Sequence, residues 1–204
     1  MDEDKKRELI DSYRYINVEC EWWDSVCADF RMICSIMGVD LDEDVPQFSG
    51  FSSQGDGASF TGKYRSIKRR GYADNPPVLF YETAPTKIRQ HAPQDEELHH
   101  IADELCMLSR IYFPLHISIT RFGSSHYVHE QTMDCYVEPM DGDPDDWAEE
   151  VHAHVQHEGT MLMRDLARWL YRTLEDEYDY LTSDEAVWET IEANELCESH
   201  NEEE

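Results

Sequence analysis

Two stretches of alternating hydrophobicity, residues 48–64 and 115–138, are each broken near the middle by turn-forming residues. In the first, Phe48-Ser49-Gly50-Phe51 and Ala58 to Tyr64 flank the cluster Ser52-Ser53-Gln54-Gly55-Asp56-Gly57. In the second, Leu115 to Thr120 alternates, Gly123-Ser124-Ser125 turns, and residues 126–138 alternate again. A period of two places successive side chains on opposite faces of a strand, and Gly, Ser and Asp supply the turn, so each stretch predicts a β-hairpin. Segments of helical period stand before, between and after the hairpins, with no strand–helix–strand alternation of the parallel kind. The chain therefore reads as α+β, an antiparallel sheet from two β-hairpins packed against several helices.

The helical segments differ in clarity. Leu9, Ile10, Tyr13 and Ile16 mark a short helix over 3–17. Trp22, Trp23, Val26, Cys27, Phe30, Ile33, Cys34 and Met37 keep the 3.6 period, and Gly38 stands at the C-cap position. The prolines at 76, 77, 85 and 93 make residues 65–93 read as loop, with room for one helical turn. Leu98, Ile101, Leu105 and Leu108 predict a helix over 94–112. A long acidic C-terminal helix is expected over 146–177, with Gly159 as a point of interruption, followed by a last helix to about Leu196. Thr182-Ser183-Asp184-Glu185 supplies capping-box spacing for that last helix. The expected organisation is one α+β domain over 1–197 and a disordered acidic tail over 198–204.

Charge narrows the function classes. The 204 residues carry a formal net charge of −28, unevenly: −9 over residues 1–62, +2 over 63–121 and −21 over 122–204. Phosphate backbones require cations to displace counterions, so binding of nucleic acid by the whole surface is disfavoured. The eleven tyrosines, seven phenylalanines and five tryptophans exclude a disordered acidic chain. No apolar run reaches membrane-spanning length, and charged Met1 to Lys6 lacks the apolar stretch of a secretory signal, so a cytoplasmic protein is expected. The basic cluster Lys63, Arg65, Lys68, Arg69 and Arg70 is expected to dock partly on the protein's own acids. Six cysteines form no Cys-x-x-Cys pair, so neither a zinc knuckle nor a dithiol site is signalled; Cys20, Cys27 and Cys34 read as a buried helical stripe.

Three stretches together carry a resemblance. They are Glu21-Trp22-Trp23-Asp24, the run Phe48 to Phe60, and Tyr178-x-Tyr180-Leu181-Thr182-Ser183-Asp184-Glu185 with Glu192-Ala193-Asn194-Glu195. From about residue 20 to 196 the chain resembles a family of phage and prophage proteins, some of them labelled antitoxin of a toxin–antitoxin stability system. The resemblance implies a mobile-element setting, in which small acidic proteins act by binding and blocking a host protein.

Candidate sites follow from residue chemistry. Ser52, Ser53, Gln54 and Asp56 sit at a hairpin tip whose glycines permit close backbone approach, which suits either a ligand loop or a capped structural turn. It is no phosphate-binding loop, because no Gly-Lys-Ser/Thr follows and a carboxylate stands in it. His126 and His129, three apart on a strand, point to opposite faces, and His152, His154, His157 and Glu158 lack the His-Glu-x-x-His spacing. No metal site, cofactor or catalytic residue is assigned. The acidic candidates are Asp141, Asp143, Asp145, Asp146, Glu149 and Glu150 at one end of the long helix, and Glu175, Asp176, Glu177 and Asp179 at the other. A helix of about 30 residues extends ~45 Å, and carboxylates along it could imitate the phosphates of a duplex. Acids at a helix N-terminus and acids that keep a protein soluble are the plainer account.

The expected function is that of a phage or mobile-element binding protein, not an enzyme, that inhibits a host defence or nucleic-acid-binding protein by acidic mimicry of DNA. An antitoxin for one cognate toxin is the first alternative. An enzyme or small-ligand binder on the Ser52–Gly57 loop, with His126 or His129, is the second. The expected partner is a basic host protein or a toxin, with no direct nucleic acid and no membrane; a homodimer is left open.

Overall fold

The computed structural model describes residues 2–44, 46–68, 77–122, 128–138 and 149–196. The chain is α+β. Its elements are α1 (Glu3–Ser12), a 3-10 turn (Ile16–Val18), α2 (Asp24–Met37), β1 (Val39–Leu41), β2 (Gln47–Phe48), β3 (Ala58–Ser59), β4 (Gly62–Arg65), β5 (Ile67–Lys68) and β6 (Val78–Leu79). There follow α3 (Phe80–His91), α4 (Glu96–Ile111), β7 (His116–Arg121), a second 3-10 turn (Glu130–Thr132), β8 (Met133–Val137), α5 (Glu149–Leu181) and α6 (Asp184–Ala193). They fall into two compact units, residues 1–26 with 172–204 and residues 27–171; among the described residues the first holds α1, the first 3-10 turn and α6, and the second holds every strand.

In the sheet unit, a four-stranded antiparallel sheet runs in the order β1-β4-β7-β8, with Tyr64 opposite both Val39 and Ile117, and Ile117 opposite Val137. These four side chains share one face and are buried. In the second hairpin β7 pairs with β8, but β8 begins only at Met133: Glu130–Thr132, expected as strand, form a 3-10 turn capped by His129, and the expected turn at 123–125 lies outside the described residues. The first is smaller than expected. Only Gln47–Phe48 and Ala58–Ser59 pair in it, and the continuation, Gly62–Arg65, leaves to become a central strand between β1 and β7. A third strand pair, β5 with β6, completes the strands.

Helix α2 obeys its period: Cys27, Phe30, Ile33, Cys34 and Met37 are buried. Gly38 closes it at φ +91°, where an added Cβ would lie 2.7 Å from the Arg65 carbonyl oxygen. Phe30 lies 5.4 Å from Phe60 and 6.4 Å from Trp169, centroid to centroid. Trp169 Nε1 donates to Asp95 Oδ2 at 2.7 Å, while Asp95 Oδ1 accepts from the Leu98 amide and caps α4. The cysteine stripe is two residues long, not three: Cys20 precedes α2 and is exposed.

Three further expectations are corrected. Residues 80–91 are a helix despite Pro85, because Pro85 removes one amide from the ladder while Ala84 and Ile88 bury a stripe and α3 packs on α4. Gly159 does not interrupt α5; it gives the Ile117 side chain room, and an added Cβ would meet Ile117 Cδ1 at 2.8 Å. The cap of α6 is Ser183, whose Oγ accepts from the Ala186 amide at 3.2 Å, one residue later than the capping-box spacing suggests.

The two glycines predict contrasting substitutions. At Gly62 an added Cβ would lie 2.3 Å from the Asp40 carbonyl oxygen across the β1–β4 pair. Backbone cannot yield there, so Gly62→Ala should cost about 2 kcal/mol. Gly159→Ala meets only a methyl tip that can rotate away and gains about 1 kcal/mol of helix propensity, so it should be near neutral. Urea unfolding midpoints separate the two.

In the helical unit, Leu9, Ile10, Val187 and Ile191 form a small core, flanked by Tyr13, Ile16, Trp188 and Leu196. Asn17 ties its parts together: Nδ2 donates to the Leu181 carbonyl at 2.9 Å and Oδ1 accepts from Thr190 Oγ1 at 2.8 Å. Arg14 donates to the Thr182 carbonyl and pairs with Asp11 and Asp184.

Candidate functional site

In the Ser52–Gly57 loop the Asp56 carboxylate closes on the loop's own backbone. Asp56 Oδ2 accepts from the amides of Ser52 at 3.0 Å and Ser53 at 2.7 Å. Ser49 Oγ accepts from the Gly57 amide at 3.0 Å and donates to the Val128 carbonyl at 3.2 Å. Tyr171 Oη donates to the Gly50 carbonyl at 3.0 Å, and the Tyr171 ring lies 5.5 Å from Phe51. Gly55, at φ +112°, supplies the left-handed turn. Ser52, Ser53 and Gln54 are exposed and Asp56 is half-buried.

The loop does reach one of the two histidines considered with it. Gly57 lies so close to His129 that an added Cβ would be 2.9 Å from its Cα. His129 Nδ1 lies 2.9 Å from Glu130 Oε2 and 3.1 Å from the Gln131 amide, which donates to it. Glu130 is buried, with Arg168 Nη1 at 3.6 Å from Oε1, and Arg168 pairs also with Asp165. Loop, histidine and buried carboxylate thus form a packed joint, with backbone in contact where a ligand would need space. His126 lies outside the described residues. His154 and His157 are exposed on α5, with the His154 ring 6.5 Å from that of Tyr112. Among the described residues, no three His, Cys, Asp or Glu side chains converge as a metal would require, and no helix is long and apolar enough to cross a membrane.

A second polar group covers the sheet face opposite Tyr64 and Ile117, and part of the basic cluster docks there as its sequence suggests. Lys63 and Arg65 dock on the protein's own acids: Lys63 Nζ lies 2.9 Å from Glu138 Oε1, and Arg65 pairs with Asp40. Arg69 and Arg70 lie outside the described residues. Ser118 also donates to Glu138. That hydroxyl first, and the Lys63 ammonium second, hold the Glu138 carboxyl below its ordinary range. Neighbouring His116 has its Nε2 buried without a hydrogen-bond partner; burial, then the Arg65 charge, push its pKa down. Both groups bind protons less readily folded than unfolded. Their contribution is present above the unfolded values, 6.5 for His116 and 4.5 for Glu138, and is lost as pH falls through the lower folded values. Glu138→Gln should therefore flatten the acid limb of a urea-stability profile below pH 4.5, by a modest amount because Glu138 is 39% exposed.

The acidic candidates separate by position. Asp141, Asp143, Asp145 and Asp146 lie outside the described residues. Glu149 and Glu150 are exposed in the first turn of α5, where the helix dipole favours carboxylates. Glu175, Asp176, Glu177 and Asp179 belong to the helical unit and occupy the last two turns of α5, where the dipole opposes them and no basic residue stands in the last turn. None of the four forms an ion pair among the described residues, and Asp176 and Asp179 are exposed. The same unit joins two of the sequence stretches singled out above, since Trp22 lies 5.6 Å from Tyr178 and 5.8 Å from Trp23.

Fold and site together define an α+β protein with a four-stranded antiparallel sheet, a stapled hairpin loop and an acid-rich helical unit. The chain belongs to the family described as Domain of unknown function (DUF8835), which matches residues 22–184. No curated protein and no solved structure matches it.

Proposed function

We propose that the protein acts by binding, presenting unneutralised carboxylates to a basic surface of a partner protein. The observation that carries this is the placement of Glu175, Asp176, Glu177 and Asp179. They stand at the end of α5 where they lower helix stability, without ion pairs among the described residues, so folding gives no reason for them. Net charge of magnitude 2–8 or so suffices to keep a small domain soluble, and −28 far exceeds that. The hairpin loop is the weaker candidate, because Asp56 and Ser49 are occupied by backbone and Gly57 is closed against His129.

In the mobile-element setting that the family resemblance implies, the partner is a host defence or nucleic-acid-handling protein, whose basic cleft the carboxylates occupy in place of phosphates. Glu149 and Glu150 are further exposed carboxylates, in the first turn of α5, and Asp141, Asp143, Asp145 and Asp146 are proposed with them from sequence alone. The test is affinity capture from a host lysate at low salt, with stepwise salt elution, using wild type and a variant with Glu175, Asp176, Glu177 and Asp179 amidated. Salt-released capture of a basic nucleic-acid-binding protein, lost in the variant, is the expected result. A partner indifferent to both salt and variant overturns the reading.

A further inference from the structure

Between α1 and α6 lies a groove of about 580 Å³, lined by Glu3, Lys6, Arg7, Ile10, Asp184, Glu185, Trp188, Glu189 and Glu192. Its floor is the Trp188 ring, which is anchored from below by the Leu9–Ile10–Val187–Ile191 core. Lys6 Nζ sits 4.4 Å from the centroid of that ring. An ammonium over an indole face is held by the ring quadrupole, so this seat already selects a cation. Around it Glu3, Glu185, Glu189 and Glu192 are exposed and form no ion pair among the described residues, whereas Asp184 is committed to Arg14. Two cations, Lys6 and the exposed Arg7, thus face four unpaired glutamates, and the rim keeps an excess of carboxylates. Lys6 and Trp188 both lie outside the residues matched by the family.

We propose that the Trp188 groove is the seat for an arginine side chain on a basic segment of the partner protein, with Lys6 as the internal occupant that the arginine displaces. This rests on the acidic-partner reading and names its contact. Arginine fits better than lysine: its planar guanidinium stacks on an indole while its fork of donors reaches a carboxylate, so Trp188 and one rim glutamate can hold it at once. The groove is larger than one side chain, which leaves space for the residues beside the arginine. Lys6 lies on α1 and can swing to solvent without moving the helix, so displacement requires no refolding.

The probe is a fluorescently labelled hexa-arginine peptide, titrated by anisotropy into the full chain at low salt. Lys6→Ala vacates the seat and should tighten binding about threefold, while Trp188→Leu, which keeps an apolar side chain on the core, should weaken it about as much. Lys87→Ala, the same charge change on an exposed residue of α3, should leave affinity within about twofold of wild type, as expected for a charge outside the seat. In NMR spectra the Lys6 ε-methylene protons should lie upfield in the free protein, under the indole ring current, and return toward their ordinary positions as peptide is added. Unchanged affinity in both seat variants, or peptide binding with Lys6 still under the ring, overturns the groove assignment and leaves the wider acidic-surface reading intact. No binding of the peptide by wild type at low salt overturns both. Release of Lys6 by spermidine, at concentrations where the peptide has no effect, would make the occupant a free polyamine and overturn the peptide assignment.

Discussion

Replacing Phe30 by alanine should lower the unfolding free energy by about 4 kcal/mol, the largest stability loss expected of a single truncation in this chain. Phe30 is fully buried and joins layers: it projects from α2, meets Phe60 beyond β3, and stacks within 6.4 Å of Trp169 on α5. Truncation removes transfer free energy and leaves a cavity whose walls cannot collapse. Trp169 is fixed by its hydrogen bond to Asp95, and Asp95 is itself held as the α4 cap. Aromatic pairs add about 0.5–1.5 kcal/mol beyond area, so Phe30→Leu should still cost about 1.5 kcal/mol despite its similar volume. Urea unfolding followed by both far-UV circular dichroism and tryptophan fluorescence measures these losses. A loss under about 1 kcal/mol for Phe30→Ala would mean that this aromatic joint does not hold the sheet unit together.

Long-period signals were legible in the sequence and short or strained ones were not. The α2 and α4 stripes announce themselves because each places four or more apolar residues at 3.6 spacing. The stripes from Val26 to Met37 and from Leu98 to Leu108 are buried as expected, whereas Trp22 and Trp23 precede α2 and are half-buried. The helix α3 hides behind Pro85: a proline costs the helix one hydrogen bond, but the tertiary contact of Ala84 and Ile88 outweighs that local signal. The strand β1 has three residues, Val39 to Leu41, and exists because β4 offers it an edge, which no local pattern encodes. The same long-range pairing splits the first hairpin and sends Gly62–Arg65 into the centre of the sheet. At the candidate sites, Ser49, Asp56 and the glycines of the loop were visible as a turn, but the closure of Gly57 on His129 depends on residues 72 apart in sequence. No pattern in the sequence marks Trp188, which packs one side on the small core of the helical unit. Its other face became visible only when α1 laid Lys6 across it.

Amidating Glu175, Asp176, Glu177 and Asp179 together should separate stability from binding, moving them in opposite directions. These residues stand in the last two turns of α5, unpaired among the described residues, where each carboxylate faces the negative end of the helix dipole. Removing an unfavourable charge there is worth about 0.3–1 kcal/mol for the residue closest to the end and less for the others, so the variant should unfold at higher temperature than wild type. Gln and Asn keep the side-chain volume, so packing is unchanged. Binding to a basic partner should fall by about tenfold or more at low salt, with most of the loss in the association rate, because steering depends on the summed field more than on any one contact. Raising ionic strength should erase the difference: at 1 M salt the Debye length is about 3 Å, and carboxylates with a partner farther off than that no longer attract it. Calorimetric melting and stopped-flow association over a salt series give the two readouts. A variant that melts lower would place these carboxylates in the fold's own service, and one that binds as fast as wild type at low salt would take them out of the interface. Greater thermal stability together with slower association is the signature of charge retained for a partner at the expense of the helix that carries it.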